Sequence, residues 1–155
     1  MKAPATRVTE PSSCPRPTAV TFTVVPVFHE CQRCTACCRW PGQVRVTEAE
    51  VAPLAGLLGL TAHDFIQRHT CLRADRGGLA LAIRPNGECI FLEGARCAVQ
   101  TVKPQQCRDF PNLWNFPGFE IFCRSIPRRV DADEWRRLVA IATQRAAETL
   151  TPPLD

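Results

Sequence analysis

Four cysteines fall within the eight residues Cys31-Gln32-Arg33-Cys34-Thr35-Ala36-Cys37-Cys38. In a C-x-x-C step a short turn lets both sulfurs face the same ion, and thiolates are soft ligands that select zinc or iron–sulfur over calcium or magnesium. The second C-x-x-C shares Cys34 with the first. Side chains of sequence neighbours diverge, so Cys37 and Cys38 are expected to serve different metals or different corners of a cluster. That favours more than a single mononuclear site. His29 lies two residues before Cys31 but belongs to no short ligand motif, and it reads as a loop histidine.

The rest of the composition limits what this motif can mean. The chain has 155 residues, 45% of them hydrophobic, enough for one domain with a real core. It has ten cysteines, too few for a small disulfide scaffold and too clustered for inert filler. No apolar run approaches the roughly 20 residues of a membrane span, and the start Met-Lys-Ala-Pro-Ala-Thr-Arg-Val has no apolar middle of a secretory signal. A cytoplasmic protein is expected, and in a reducing compartment clustered cysteines serve metals or redox chemistry rather than disulfides. The formal charge of +4 counts every thiol as neutral. Two zinc ions on eight thiolates would release eight protons and bring four charges, leaving the protein neutral. The basicity is therefore no argument for a nucleic-acid partner, and neither nucleic acid nor membrane is expected. Arg33, Arg39, Arg96, Arg108 and Arg124 each lie within two residues of a cysteine. Their guanidinium groups either lower thiol pKa and donate to sulfur or are solvated surface.

Several elements must position these residues. Residues 1–17, with four prolines, read as a flexible tail that contains Cys14; residues 18–150 read as the cysteine-cluster domain and 151–155 as a second tail. Residues 18–28 are rich in Val, Thr and Phe and read as extended, at a sheet edge because of Pro26. Thr47-Glu48-Ala49-Glu50 has capping-box spacing and starts a helix whose inner face is Val51, Leu54, Ala55 and Leu58; Pro53 is expected to kink or split it. Thr61 with Asp64 opens a second helix, with Phe65, Ile66 and His69 inward, and Cys71 after it reads as a small buried hydrophobe. Residues 79–83 and 88–92 read as strands around Arg84-Pro85-Asn86-Gly87, with a third strand after Gly94. Lys103-Pro104 starts one helical turn, and the aromatic loop through Trp114 and Phe116 covers a small core or shields a metal. Asp131 and Glu134 cap a C-terminal helix with Trp135, Leu138, Val139, Ala142 and Ala146 inward, and with Arg136, Arg137, Gln144 and Arg145 solvated. The sum is a small α+β domain of irregular cysteine-rich loops, a short β-hairpin or three-stranded piece and a few helices.

The order Cys31-x2-Cys34-x2-Cys37-Cys38-Arg39, then Cys89-x-Phe91-Leu92, Cys97, Lys103-Pro104-x2-Cys107-Arg108-x-Phe110-Pro111 and Cys123 resembles the YkgJ-like cysteine-cluster family of zinc- or iron-chelating domains. The resemblance implies a metal site of eight residues: Cys31, Cys34, Cys37, Cys38, Cys89, Cys97, Cys107 and Cys123. This chain has Lys103 where the family usually has arginine, and it has no tyrosine. The family includes flagellin lysine N-methylases, larger proteins with the same cluster. The leading expectation is a metal-binding protein whose eight cysteines hold an iron–sulfur cluster or zinc. The alternatives are an iron–sulfur-dependent enzyme or redox protein related to those methylases, and a metallochaperone or structural adaptor with a protein partner or substrate. No nucleotide loop, Ser-His-Asp order or H-E-x-x-H motif names a catalytic residue.

Overall fold

In the computed structural model, which describes residues 24–153, regular pairing begins where the Val- and Phe-rich lead-in reaches β1 (Val27–Glu30). Cys14, the expected tail at residues 1–17 and residues 18–23 of the lead-in lie outside the described residues. The cysteine motif follows, with one turn of helix, α1 (Ala36–Arg39), and then β2 (Arg45–Val46), α2 (Glu48–Leu57), α3 (Ala62–His69), β3 (Thr70–Leu72) and β4 (Leu79–Leu81). After them come β5 (Leu92–Glu93), β6 (Arg96–Cys97), α4 (Gln105–Asp109), α5 (Phe119–Phe122), β7 (Ile126–Arg129), α6 (Ala132–Thr143) and a 3-10 turn at Ala147–Thr149. The strands form three small antiparallel sheets, ordered β1-β7, β2-β4-β3 and β5-β6. The fold is α+β.

The helix caps act as their sequences predict. Glu50 Oε2 accepts the Thr47 amide at 2.7 Å, and Thr61 Oγ1 accepts the Asp64 amide at 3.1 Å, each filling a hydrogen bond left open at a helix start. Pro53 does not split α2, which runs unbroken through it with Val51, Leu54 and Ala55 buried. Asp131 Oδ1 accepts the Glu134 amide at 2.8 Å and opens α6, whose inner face is Trp135, Val139 and Thr143. Ala142 and Ala146 are exposed rather than inward, because the helix ends at Thr143 and Gln144 turns left-handed at φ 61°. Thr143 fills the inner position instead, donating its hydroxyl to Val139 O at 2.7 Å.

The expected hairpin at residues 79–92 exists only in part. Its turn closes through Gly87 N to Arg84 O at 2.8 Å, and Ile83 bridges Cys89. However, β4 finds its ladder partners in β2 and β3, an arrangement set by contacts distant in sequence. The third strand does form: β5 and β6 fold back on each other at Gly94, whose φ of 59° is a left-handed value that glycine adopts without strain.

Two apolar clusters result. One joins α2, α3 and the central sheet through Val46, Val51, Leu54, Phe65, Leu81, Phe91 and Val99, with Cys89 and Cys97 packed against it. The other joins β1, β7 and α6 through Phe28, Val130, Trp135, Val139 and Leu150. Helix α4 spans the two. At its start Glu50 Oε1 accepts the Gln105 amide at 2.6 Å, and at its end buried Asp109 takes the Arg145 guanidinium in a two-point ion pair at 2.8 and 2.6 Å. Arg145 is exposed, as expected, but also clamps Asp109, and Gln105 adds a bond to Thr143 O at 2.8 Å.

Candidate metal centre

Each cysteine of the motif is placed by a loop or a very short element, so that its sulfur stands near backbone N–H groups. Arg33 and Thr35 take left-handed φ of 52° and 59°, which folds the C-x-x-C steps into tight turns. In the first turn the Arg33 amide donates to Cys31 Sγ at 3.4 Å. The amides of Ala36, Phe91, Val99 and Ser125 stand in the same two-residue relation to Cys34, Cys89, Cys97 and Cys123. A hydrogen bond to sulfur favours the charged form that a metal requires. Among the described residues it is backbone, not guanidinium, that reaches the sulfurs. Arg39 bonds Thr35 Oγ1 and Gly94 O, both at 2.9 Å, and Arg108 bonds the carbonyls of Lys103 and Thr101.

The sulfurs fall into two neighbourhoods. Cys37, Cys38, Cys89, Cys97 and Cys107 influence one another electrostatically, with Lys103 beside them. The Cys89 amide donates to Cys38 O at 2.8 Å, fixing the β piece against α1. A void of about 10 Å³ is lined by Cys37, Cys38 and Cys89 together with Val44, Leu81 and Ala82, room for the centre of one small occupant. The second neighbourhood holds Cys34 and Cys123, and it is not separate from the first, since Cys34 also feels Cys37. The Arg124 amide donates to Cys34 Sγ at 3.4 Å, and the Cys34 and Cys123 thiols share a hydrogen bond. Register in the β1-β7 pair sets Glu30 against Ile126, so Cys31 leaves β1 at the end where the Cys123 segment arrives.

Cys37 and Cys38 act on each other's ionisation. On the single turn of α1 the Cys38 thiol donates to Cys37; that bond, opposed by burial and aided by Lys103, brings the Cys37 pKa down to about 7. Cys38 is pushed up, first by the same bond and then by burial. Burial raises Cys107, and neighbouring Cys37 and Cys89 add to the effect; burial also raises Cys89, Cys97 and Cys123. At Cys34 burial pushes up, but the amides of Arg124 and Ala36 and the Cys123 thiol outweigh it, and the pKa falls.

Aromatic rings tie the two neighbourhoods together. Trp40, two residues past Cys38, stacks on Phe116 at 3.9 Å and meets Phe122, the residue before Cys123, at 5.3 Å. His29 lies on the outer side. Asn112 holds its backbone by bonds of 2.8 and 3.0 Å, and its Nδ1 sits 3.3 Å from Ser125 Oγ. Burial lowers its pKa against the pull of Glu120. Cys71 is exposed on the edge strand β3, opposite Ala80, rather than buried as its isolation suggested. A wide groove of about 1000 Å³, lined by Val46, Val51, Ile66, Arg45 and Arg73 among others, contains no thiol.

Nine cysteines of the described residues are free thiols. The thiols carry the amide donors, and Cys37, Cys38 and Cys89 the small void, that a thiolate centre needs. Among the described residues, no group of three or more His, Cys, Asp or Glu side chains already converges in the arrangement of a single ion site. The chemistry of the donors, thiols throughout, fits zinc or iron. Sequence patterns gave no sign of Ser125 or Asp109, nor of the bonds by which Glu50 and Arg145 hold α4, which arise through folded contacts.

A family model described as CxxCxxCC, a putative zinc- or iron-chelating domain, matches residues 30–136. No solved structure matches the chain. No helix of the described residues is long and apolar enough to cross a membrane.

Proposed function

The chain belongs to the CxxCxxCC zinc- or iron-chelating domain family, and we propose that Cys31, Cys34, Cys37, Cys38, Cys89, Cys97, Cys107 and Cys123 together form its thiolate metal centre. The observation that supports this reading is backbone N–H donation to sulfur, from Arg33 to Cys31 and from Arg124 to Cys34, both at 3.4 Å. An inert buried cysteine has no use for such donors; a thiolate ligand does. When bound, zinc would supply a closed structural anchor or a Lewis acid, and an iron–sulfur cluster would supply electron transfer. The protein works in a reducing compartment, the cytoplasm in this reading, where free thiols persist.

The test is anaerobic purification followed by metal and acid-labile sulfide analysis, with thiol alkylation before and after chelation. The expected result is stoichiometric metal and eight cysteines that react only once metal is removed. Metal-free protein whose thiols all react from the start would overturn the proposal. A brown protein with visible absorbance would be iron–sulfur, and a colourless one zinc.

A further inference from the structure

We propose that the apolar face formed by Trp40, Ile121 and Phe122 around half-buried Phe116, beside the cysteine loops, is a docking surface for an acidic segment of a partner protein that carries apolar anchors. The sequence gives α5 two apolar sides. Phe119 is buried, while Ile121 and Phe122 on the same four-residue turn stand 83% and 52% exposed. Phe122 meets Trp40, itself 38% exposed, at 5.3 Å, and Phe116 lies 3.9 Å from Trp40 and 6.4 Å from Phe122. Single exposed apolar residues are ordinary; exposed rings that touch one another mark a contact surface. Trp40 carries the face on toward the thiols, since it lines the small void together with exposed Ile83 and with Cys37, Cys38 and Cys89. The face is also held from below, where Phe116 lies against buried Phe110 at 5.8 Å and buried Phe119 at 6.5 Å. Rings already fixed in place lose little freedom when a partner covers them, and tryptophan is a frequent anchor of binding energy.

The charges at the margin select the occupant. Arg124 stands two residues after Phe122, and its amide donates to Cys34 Sγ at 3.4 Å, which brings its backbone beside the Arg33-Cys34 step. Arg33 and Arg124 are exposed, and neither has a carboxylate partner among the described residues. On the adjoining segments Glu30 pairs with Arg128 at 3.8 Å and Glu88 with Arg39 at 3.6 Å, so exposed Glu120 on α5 is the carboxylate left to oppose them. Two guanidinium groups against one carboxylate leave the margin positive. A second copy of the chain is disfavoured, because a two-fold contact over this face sets one positive margin against another. An anionic membrane is disfavoured as well: lipid-binding surfaces gather about four to eight basic side chains, and this margin has two unpaired ones. Carboxylates that accept from Arg33 and Arg124, on a segment whose leucine or phenylalanine side chains cover Ile121 and Phe122, satisfy both the charge and the apolar area.

Selection of a random peptide library displayed on phage against the full chain tests this. Enriched sequences should place Asp or Glu beside Leu, Ile or Phe. A fluorescein-labelled peptide of the enriched sequence, followed by anisotropy, should bind wild type at least about tenfold more tightly than I121S/F122S. R33E/R124E should weaken the same peptide about tenfold and strengthen its counterpart with lysine in place of each acid, and high salt should narrow both differences. I121L/F122L, which keeps the face apolar, should retain binding. Circular dichroism matching wild type ties the loss in I121S/F122S to the surface; should that variant fail to fold, R33E/R124E decides alone. No enrichment, enrichment in Lys and Arg, or equal affinity for wild type and the variants would overturn the proposal. So would a dimer in sedimentation equilibrium that I121S/F122S dissolves, which assigns the face to a second copy. Co-sedimentation with phosphatidylserine vesicles that the same variant abolishes would overturn it in favour of a membrane.

Discussion

The two apolar clusters support the sulfurs in different ways. The first, around Leu54, Phe65 and Leu81, is thick, and Cys89 and Cys97 pack directly against it. The second is formed by β1, β7 and α6; Cys31 follows the exposed end of β1 and Cys123 ends α5, three residues before β7, whose four residues are all exposed. Burial therefore orders Cys89 and Cys97, while Cys31 and Cys123 depend on backbone register and a few hydrogen bonds. Helix α4, with Cys107, belongs to both regions through Glu50 and Asp109. The lesson is that cysteine segments can lie at the seam of two modest cores and belong wholly to neither.

The largest effect that should sharpen this contrast is removal of the metal. Structural zinc contributes on the order of 10 kcal/mol to folding, so chelation should melt the cysteine loops and leave α2 and α6, as followed by circular dichroism. A cooperative melt unchanged by chelation would break the comparison. Next come the cores. Phe65→Ala and Trp135→Ala should each cost about 3–5 kcal/mol in urea unfolding, because both side chains are fully enclosed. The two should differ in what else they loosen: Phe65→Ala should expose Cys89 and Cys97 to alkylation, and Trp135→Ala should expose Cys31 and Cys123.

Smaller effects come from the α4 tethers. Asp109→Asn breaks the two-point pair with half-exposed Arg145 and should cost about 2 kcal/mol, after allowing for solvent screening of the arginine. Cys107 should then alkylate faster in metal-free protein. Glu50 gives the smallest effect and a pH dependence. Burial raises its pKa, but the amides of Gln105 and Thr47 outweigh that and hold the carboxyl below its ordinary value. Its contribution is thus complete above the unfolded carboxyl range, about pH 4.3, and is lost as pH falls through the lower folded value. Glu50→Gln should cost about 1 kcal/mol at pH 7 and flatten the acid limb of stability against pH.

Much of the scaffold was legible because local chemistry fixes it. Thr47 with Glu50, Thr61 with Asp64 and Asp131 with Glu134 each satisfy helix-start hydrogen bonds within four residues, and all three helices begin where those residues stand. Strand β7 was not legible: Ile126-Pro127-Arg128-Arg129 has no apolar alternation and holds its place only by pairing with β1. The same holds for β3, an edge strand that takes its register from β4. At the site, spacing singled out the thiols as candidates, but not the contacts around them, such as the Arg145 pair with Asp109. Those arise when segments far apart in sequence meet, which no local pattern encodes. Of the two readings open for the arginines near the cysteines, folded contacts decide two cases: the guanidinium groups of Arg39 and Arg108 turn to a hydroxyl, a carboxylate and backbone carbonyls rather than to sulfur.

X-ray absorption at the metal edge of anaerobically purified protein tests the central claim most directly. The account predicts a first shell dominated by sulfur at about 2.3 Å. A first shell of oxygen or nitrogen near 2.0–2.2 Å, without sulfur, would contradict it.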